Sequence, residues 1–301
     1  KYRLASNVTL DATVNPDFGQ VELDPAVINL TAFETRFSER RAFFVEGAGI
    51  FNFSEGGPMG SVGRPPQLAY SRRIGRSPRG RVPSDAVFSQ VPNATTILGA
   101  AKVTGQVGDG WSLGILEAVT GKETGSYTTT DGEAHDILVE PAANNFIMRL
   151  RRQVEGGATR FGVIGTALNR DLSGTTLADR LHSSAYSSGI DFAHESTDRM
   201  WLFSGALAGS YVRGDAEQML RTQRASARYY QRPDAEHVDV DPLATSLKGF
   251  YAMGYIGKQA GTFTMRNGIA FVSPGFEVND IGFQSHADRI LFDTHYQFNE
   301  I

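Results

Sequence analysis

The first side chains along the chain with chemistry to offer are acids. Asp17, Glu22, Asp24, Glu34, Glu39 and Glu46 crowd the opening. Paired carboxylates are what glycoside hydrolysis uses as acid and base, and carboxylate oxygens are what Ca2+ requires. Turns and helix caps call for the same residue types, and no known ligand spacing is met. The six histidines, His135, His182, His194, His237, His286 and His295, show neither HxH nor HExxH spacing. No metal centre is expected from them, and they read as rings facing water or a polar interior. A Gly-x-Ser-x-Gly elbow and a phosphate-cradling Gly-x-x-x-x-Gly-Lys-Ser/Thr loop are both absent, and Gly47, Gly49, Gly56 and Gly57 mark turns. No cofactor is expected.

The strongest local charge feature is basic. Arg64, Arg72, Arg73, Arg76, Arg79 and Arg81 fall in one Pro- and Gly-rich stretch. Arginine forks bind planar anions by paired hydrogen bonds, so such a cluster could meet an acidic glycan or the phosphate of a lipopolysaccharide. The plainer assignment, which is favoured, is that these charges neutralise acids of the opening and of a polar interior. Arg72, Arg73 and Arg76, with Arg149, Arg151 and Arg266 further along, form the candidate binding set, and Arg289 is assigned to the same interior. The chain as a whole is not basic: 29 Lys+Arg against 33 Asp+Glu leave a net charge of -4, which argues against nucleic acid as a partner. There is no Cys, which dismisses disulfides and fits an envelope compartment.

The elements that must carry these residues are strands. No run approaches the roughly 18 to 20 apolar residues of a membrane-spanning helix. Up to Pro92 the chain is dense in turn residues, with one strand expected over Leu4 to Val14. A short helix is predicted near Asn29 to Phe37, where Leu30, Phe33 and Phe37 recur at helical spacing behind a candidate Asn29 cap. From about Thr95 the pattern alternates with period two. Strands are predicted over Thr95 to Gln106, Trp111 to Thr120, Asn145 to Gln153, Thr159 to Asn169, Ser184 to His194, Arg199 to Val212, Thr262 to Val272 and Arg289 to Phe298, about ten in all. In Arg199 to Val212, Trp201, Phe203, Leu207 and Tyr211 share a face. Trp201 and Tyr211 would stand roughly 33 Å apart along the strand, or about 25 Å in height once tilted, the separation of two aromatic girdles.

Short turns such as residues 107–110 and 155–157 alternate with longer polar links such as 122–141 and 214–241. Long strands with such asymmetric connections point to an all-β fold, an antiparallel transmembrane β-barrel of the outer membrane. A large soluble sandwich or propeller is the alternative, because alternation alone does not distinguish lipid from a protein core. Residues 1–92 read as a first strand plus an irregular segment, and 93–301 as barrel hairpins. The chain starts at Lys1 and stops inside a predicted strand, so both ends read as cuts and the barrel as partial. The segment from about Gly19 to Pro92 is too irregular to face lipid and too rich in Phe for free coil, so it is expected to pack in the lumen.

The blocks Leu10-Asp11-Ala12-Thr13-Val14-Asn15-Pro16-Asp17-Phe18-Gly19-Gln20-Val21-Glu22-Leu23-Asp24-Pro25, continuing through Asn29–Glu34 to Arg40–Glu46, with Tyr70–Arg76, Ile97–Gly105, Arg228–Asp234 and Ser273–Asp280, form a pattern along the chain. It resembles the DUF5916 family. The resemblance implies a bacterial envelope protein in which a domain similar to family 9 carbohydrate-binding modules precedes an outer-membrane barrel. It implies no activity for particular residues. Together with the barrel it suggests glycan binding or uptake, with outer-membrane lipid, glycans and other envelope proteins as partners. An envelope glycoside hydrolase, supported only by the acidic opening, and a structural subunit of an envelope complex are the alternatives.

Overall fold

The computed structural model describes residues 1–16, 28–54 and 65–299. Its strands in chain order are β1 (Tyr2–Ala5), β2 (Val8–Val14), β3 (Phe88–Gln90), β4 (Ile97–Gln106), β5 (Trp111–Thr120), β6 (Glu123–Thr128) and β7 (Ala134–Glu140). There follow β8 (Ala143–Val154), β9 (Thr159–Arg170), β10 (Ser184–Glu195), β11 (Trp201–Arg213), β12 (Ser246–Lys258), β13 (Phe263–Val272) and β14 (Arg289–Phe298). Two helices, α1 (Ala42–Val45) and α2 (Ala216–Arg224), lie in the connections. No helix among the described residues is long and apolar enough to cross a membrane.

Eleven strands form one antiparallel sheet in the order β1-β2-β4-β5-β8-β9-β10-β11-β12-β13-β14, and β3-β6-β7 form a second. Each strand of the large sheet pairs with its neighbour in sequence once the small sheet is set aside, so this is a meander. It is open, with β1 and β14 as its edges, and among the described residues no closed barrel is formed. The connections alternate strictly. Residues 6–7, 107–110, 155–158, 196–200 and 259–262 make tight turns at one end, while 15–96, 121–142, 171–183, 214–245 and 273–288 make long links at the other.

The two faces of the sheet differ: the exposed one carries large apolar side chains, and the covered one mixes apolar residues with small polar and charged ones. In β10 the exposed positions are Tyr186, Ser188, Ile190 and Phe192, and the buried ones are Ala185, Ser187, Gly189, Asp191 and Ala193. Its neighbours behave alike: Phe161, Val163, Phe203, Leu207 and Phe250 are exposed, while Thr166, Ser204 and Ser210 are buried. Alternation places the side chains, and what covers each face decides burial. The covered face meets the 41–54 and 65–80 segments and the 273–288 link. Phe53, Leu68 and Phe276 pack with Ile164, Ala208 and Tyr251, and Phe44, Ile74 and Ile281 pack with Leu116 and Ile147.

Small residues make that covering feasible. A Cβ on Gly189 would lie 2.7 Å from the Phe53 ring, one on Gly114 would lie 2.6 Å from Ile50, and one on Gly249 would lie 2.0 Å from the backbone nitrogen of Phe276. Charges fill the rest. Arg149 on β8 reaches across β9 to Asp191 on β10, donating from both terminal nitrogens at 2.7 and 2.8 Å. The backbone N–H of Ser54 donates to the same carboxylate at 3.0 Å. The strand between contributes Gly162, where a Cβ would stand 2.3 Å from Asp191 Oδ1 and 2.5 Å from the guanidinium.

Four expectations need correction. The predicted strand over Leu4 to Val14 is a hairpin, β1 and β2, turning between Ala5 and Val8. The helix predicted over Asn29 to Phe37 is absent. Asn29 accepts from the Thr31 N–H at 2.9 Å and donates to the Phe33 carbonyl at 2.6 Å, so its amide closes a local turn in place of a cap. The polar link over 122–141 contains the β6–β7 hairpin of the second sheet, and β12 falls outside the eight predicted strands.

The buried pair supplies a direct test. Asp191→Ala leaves Arg149, 1% exposed, without its counter-charge, and is expected to cost about 3–5 kcal/mol. Gly162→Val is expected to cost a comparable amount by forcing the pair apart. Asp191→Leu with Arg149→Met removes both charges and should be milder than Asp191→Ala. Denaturant titration followed by tryptophan fluorescence reads all three.

Candidate functional site

The arginine-rich segment is held in place by its backbone. The Tyr70 N–H donates to the Ile281 carbonyl at 2.9 Å and the Gln67 N–H to the Phe283 carbonyl at 3.0 Å. A single 3-10 turn, Ser71–Arg73, then presents two of the predicted arginines. Arg73 is buried; its terminal nitrogens donate to Glu34 at 2.6 and 2.8 Å and its Nε to the Gly282 carbonyl at 2.9 Å. Arg72 sits 6.0 Å from the centroid of Phe37. With Arg76 they line a cavity of about 580 Å3 bounded by Glu34, Phe37 and Tyr70. Burial, together with the charges of Arg73 and Arg79, pushes the Arg76 pKa down.

Deeper in, Glu39 accepts from Arg41 Nε at 2.9 Å and Nη2 at 2.8 Å and from the Ser71 hydroxyl at 2.6 Å. Burial alone would raise the Glu39 carboxyl, but these bonds and the Arg41 charge outweigh it and hold the pKa at about 2. Lys102, 1% exposed in β4, donates to the main-chain carbonyls of Phe43 and Glu46. Of the six opening acids, Asp17, Glu22 and Asp24 lie outside the described residues, as does Arg64. The other three are each bound to a cation: Glu34 to Arg73, Glu39 to Arg41 and Glu46 to Lys1.

A second polar cluster gathers at the long-link end. Asp280 accepts from Arg170 at 2.6 Å, and His182 Nδ1 lies 2.5 Å from its other oxygen. His182 Nε2 lies 2.8 Å from the Thr222 hydroxyl of α2. This is a carboxylate–imidazole–hydroxyl chain, yet Thr222 donates its own proton to the Gln218 carbonyl at 3.0 Å. The hydroxyl therefore anchors the ring and is not set up as a nucleophile. Burial opposes the charged form of Asp280, and His182 and Arg170 nevertheless hold its carboxyl well below the usual range. Beside it Arg228 pairs with Glu277 at 2.6 Å and Arg79 pairs with Glu140. These residues and α2 surround a cavity of about 380 Å3.

The six predicted arginines are thus dispersed. Arg72, Arg73 and Arg76 share a cavity; Arg149 is consumed by Asp191; Arg151 is half-buried on β8; and Arg266 is exposed on β13, beyond the reach of the covering segments. Arg170, His182, Arg228, Glu277 and Asp280 were not singled out from the sequence as site residues. A signal for three of them was there, since the blocks Arg228–Asp234 and Ser273–Asp280 contain Arg228, Glu277 and Asp280. The structure brings such blocks together in space: Glu34 to Arg73, Glu46 to Lys102, Arg228 to Glu277.

The family model of a domain of unknown function, DUF5916, matches residues 1–301. The chain belongs to the DUF5916 family. No curated protein and no solved structure matches it. In this DUF5916 chain, among the described residues, no group of three or more His, Asp or Glu side chains could hold a metal ion.

Glu39 gives a pH-dependent prediction. A carboxyl whose folded pKa is depressed contributes stability above its unfolded pKa and loses it as pH falls through the folded one. The contribution is complete above about pH 5 and lost towards pH 2. Glu39→Gln is expected to destabilise the protein at pH 7 by about 1–3 kcal/mol. The gap between mutant and parent melting temperatures should close as pH approaches 2.

Proposed function

We propose that this chain builds a large part of the wall of a bacterial outer-membrane β-barrel, closed around its own 28–54 and 65–92 segments, and that the arginine-rich interior handles glycans entering from outside the cell. One observation carries the proposal: a sheet whose exposed face is apolar and whose covered face holds Lys102, Arg149, Arg170 and Asp191. Phe292 is 74% and Phe298 79% exposed, and the Phe161 and Phe192 rings meet on the same surface, tilted, at 5.2 Å between centroids. Soluble monomers rarely leave apolar patches of more than a few hundred Å2 open to water. Lipid is a solvent in which such a face costs nothing.

Strand lengths agree. β8, β9 and β10 have 12 residues each and β11 and β12 have 13, against about 9–11 for a tilted membrane crossing and about five or six for a typical soluble strand. Trp201 and Tyr211 occupy the two ends of one such strand. Tyr211 stacks on Tyr186 of the next at 6.5 Å, as girdle residues would. The alternation of tight turns and long links matches the periplasmic and extracellular sides of outer-membrane barrels. In a bilayer no backbone edge stays unpaired, so β1 and β14 must find each other, further strands or a partner. Glycans are favoured as the solute because guanidinium groups and amides line both interior cavities, and because the family's implied companion module is of a sugar-binding type.

The protein in its outer-membrane fraction is expected to run at two positions on a denaturing gel, one unheated and one heated, and Leu207→Arg, on the exposed face of β11, is expected to abolish the unheated band. The lipid-facing penalty for such a charge is about 2–4 kcal/mol near mid-membrane. A single band with all the protein in the soluble fraction, and a Leu207→Arg variant as stable as its parent, would overturn the barrel.

A further inference from the structure

We propose that the cavity of about 380 Å3 between α2, residues 277–280 and the arginine-rich segment binds a phosphate monoester carried on a polyol, a sugar phosphate in the simplest case. The site stands whether or not the apolar face of the sheet meets lipid, because it is built wholly on the covered side and the long links. Four separate stretches converge on it: Arg79 and Arg81, Arg180 and His182, Gln218 to Arg228, and Glu277 to Asp280.

Its charge is unbalanced. The two carboxylates in the lining are spent, Glu277 on Arg228 and Asp280 on Arg170 and His182, and Arg79 has Glu140. Arg81 and Arg180 have no ion-pair partner among the described residues, and Arg221 has only Glu217 on the exposed flank of its own helix. A cavity with this excess of guanidinium groups attracts an anion, and forked donors match phosphate oxygens two at a time. Several uncommitted cations suit a dianion better than a single carboxylate. Arg221 in the last turn of α2 also offsets the carbonyl end of the helix, which would otherwise repel an anion.

Buried polar atoms point the same way. Arg228 is 2% exposed, yet its Nε has no hydrogen-bond acceptor, and Gln218 is 8% exposed, yet its Oε1 has no donor. Leaving a buried donor and acceptor unmade is costly. An oxygen of a phosphate answers the first and a hydroxyl of a polyol answers the second, which is why a phosphorylated sugar fits better than inorganic phosphate. The His182–Asp280 pair then serves as a fixed wall, anchored on Thr222 and Arg170.

Calorimetric titration of the purified full protein with glucose 6-phosphate tests this. Saturable one-to-one binding is expected, with glucose and inorganic phosphate each at least about tenfold weaker. Arg81→Ala and Arg180→Ala are each expected to lose about tenfold in affinity with melting temperatures unchanged, since neither breaks an ion pair, while Arg3→Ala on β1 binds like the parent. Arg228→Ala strands Glu277 and risks misfolding, so Arg228→Lys is the variant to use there, and it should bind more weakly while staying folded. A phosphorylated glucosamine disaccharide presented in micelles separates the two sources of this chemistry: tighter binding than glucose 6-phosphate assigns the ligand to a glycolipid headgroup, and weaker binding to a free sugar phosphate. The proposal is overturned if no saturable binding occurs at millimolar ligand, if glucuronate binds as well as glucose 6-phosphate, or if Arg81→Ala and Arg180→Ala leave affinity unchanged. None of these outcomes bears on the heated and unheated gel bands, so the two proposals fail separately.

Discussion

A charge on the covered face of a sheet must be answered by something that lies on that face. Lys102 and Arg149, each 1% exposed, stand mid-strand in β4 and β8, and taking an unanswered ion out of water costs several kcal/mol even after relaxation. The sheet answers Arg149 from within, through Asp191 two strands away. Lys102 stands opposite Asp11 of β2 in the register of the sheet, but its Nζ donates to carbonyls of the chain around α1. That requirement makes the irregular N-terminal stretch part of the fold: its backbone supplies the acceptors that Lys102 uses, and its phenylalanines fill the space between. Ser54, whose N–H completes Asp191, ties the same stretch down at a second point.

The glycines of the sheet follow from the same demand. Gly114, Gly189 and Gly249 each face a group that a methyl would strike, and Gly162 leaves the floor beneath the Arg149–Asp191 bridge clear. None of these positions has a left-handed backbone, so the absence of a side chain is used there for proximity. The polar residues of the covered face are small for a related reason. Ser187 and Thr166 bond to each other at 2.7 Å, taking little room and leaving no hydroxyl unpaired.

Most of the large sheet was legible in the sequence because its two faces differ so sharply that period-two alternation survives over ten or more residues. β5 runs over Trp111–Thr120 and β14 over Arg289–Phe298, as the alternation places them. The β6–β7 hairpin was not legible, since Thr124 to Asp136 is polar on both faces and carries the composition of a loop, and the apolar run Ile137–Val139 is too short to show a period. Near Asn29 the helical spacing of Leu30, Phe33 and Phe37 was outweighed by one side-chain amide that closes a turn. The ion pairs were the least legible part. Glu34 finds Arg73, and Arg228 finds Glu277, across separations that no local pattern encodes; Glu34 and Arg73 stood out in charge clusters, whereas only the family-like blocks marked Arg228 and Glu277. Of the arginines in 64–81, Arg73 and Arg79 pair with Glu34 and Glu140, and Arg81 has no ion-pair partner among the described residues.

The two ends of the sheet divide structure from chemistry. Around mid-sheet every buried charge is matched by a carboxylate or a carbonyl, which is what a wall needs to stay folded. At the tight-turn end Arg266 and His295 stand exposed with little above them. At the long-link end Arg81 and Arg180 have no ion-pair partner among the described residues, and Arg228 Nε and Gln218 Oε1 are buried without a hydrogen-bond partner. Connections of that length are not required to join adjacent antiparallel strands, for which a few residues suffice. Their mass is spent on α2, the 277–280 turn and the second sheet, all of which converge where the charge is unbalanced. Keeping such an imbalance of charge has a cost in stability, and a ligand that completes it recovers that cost on binding.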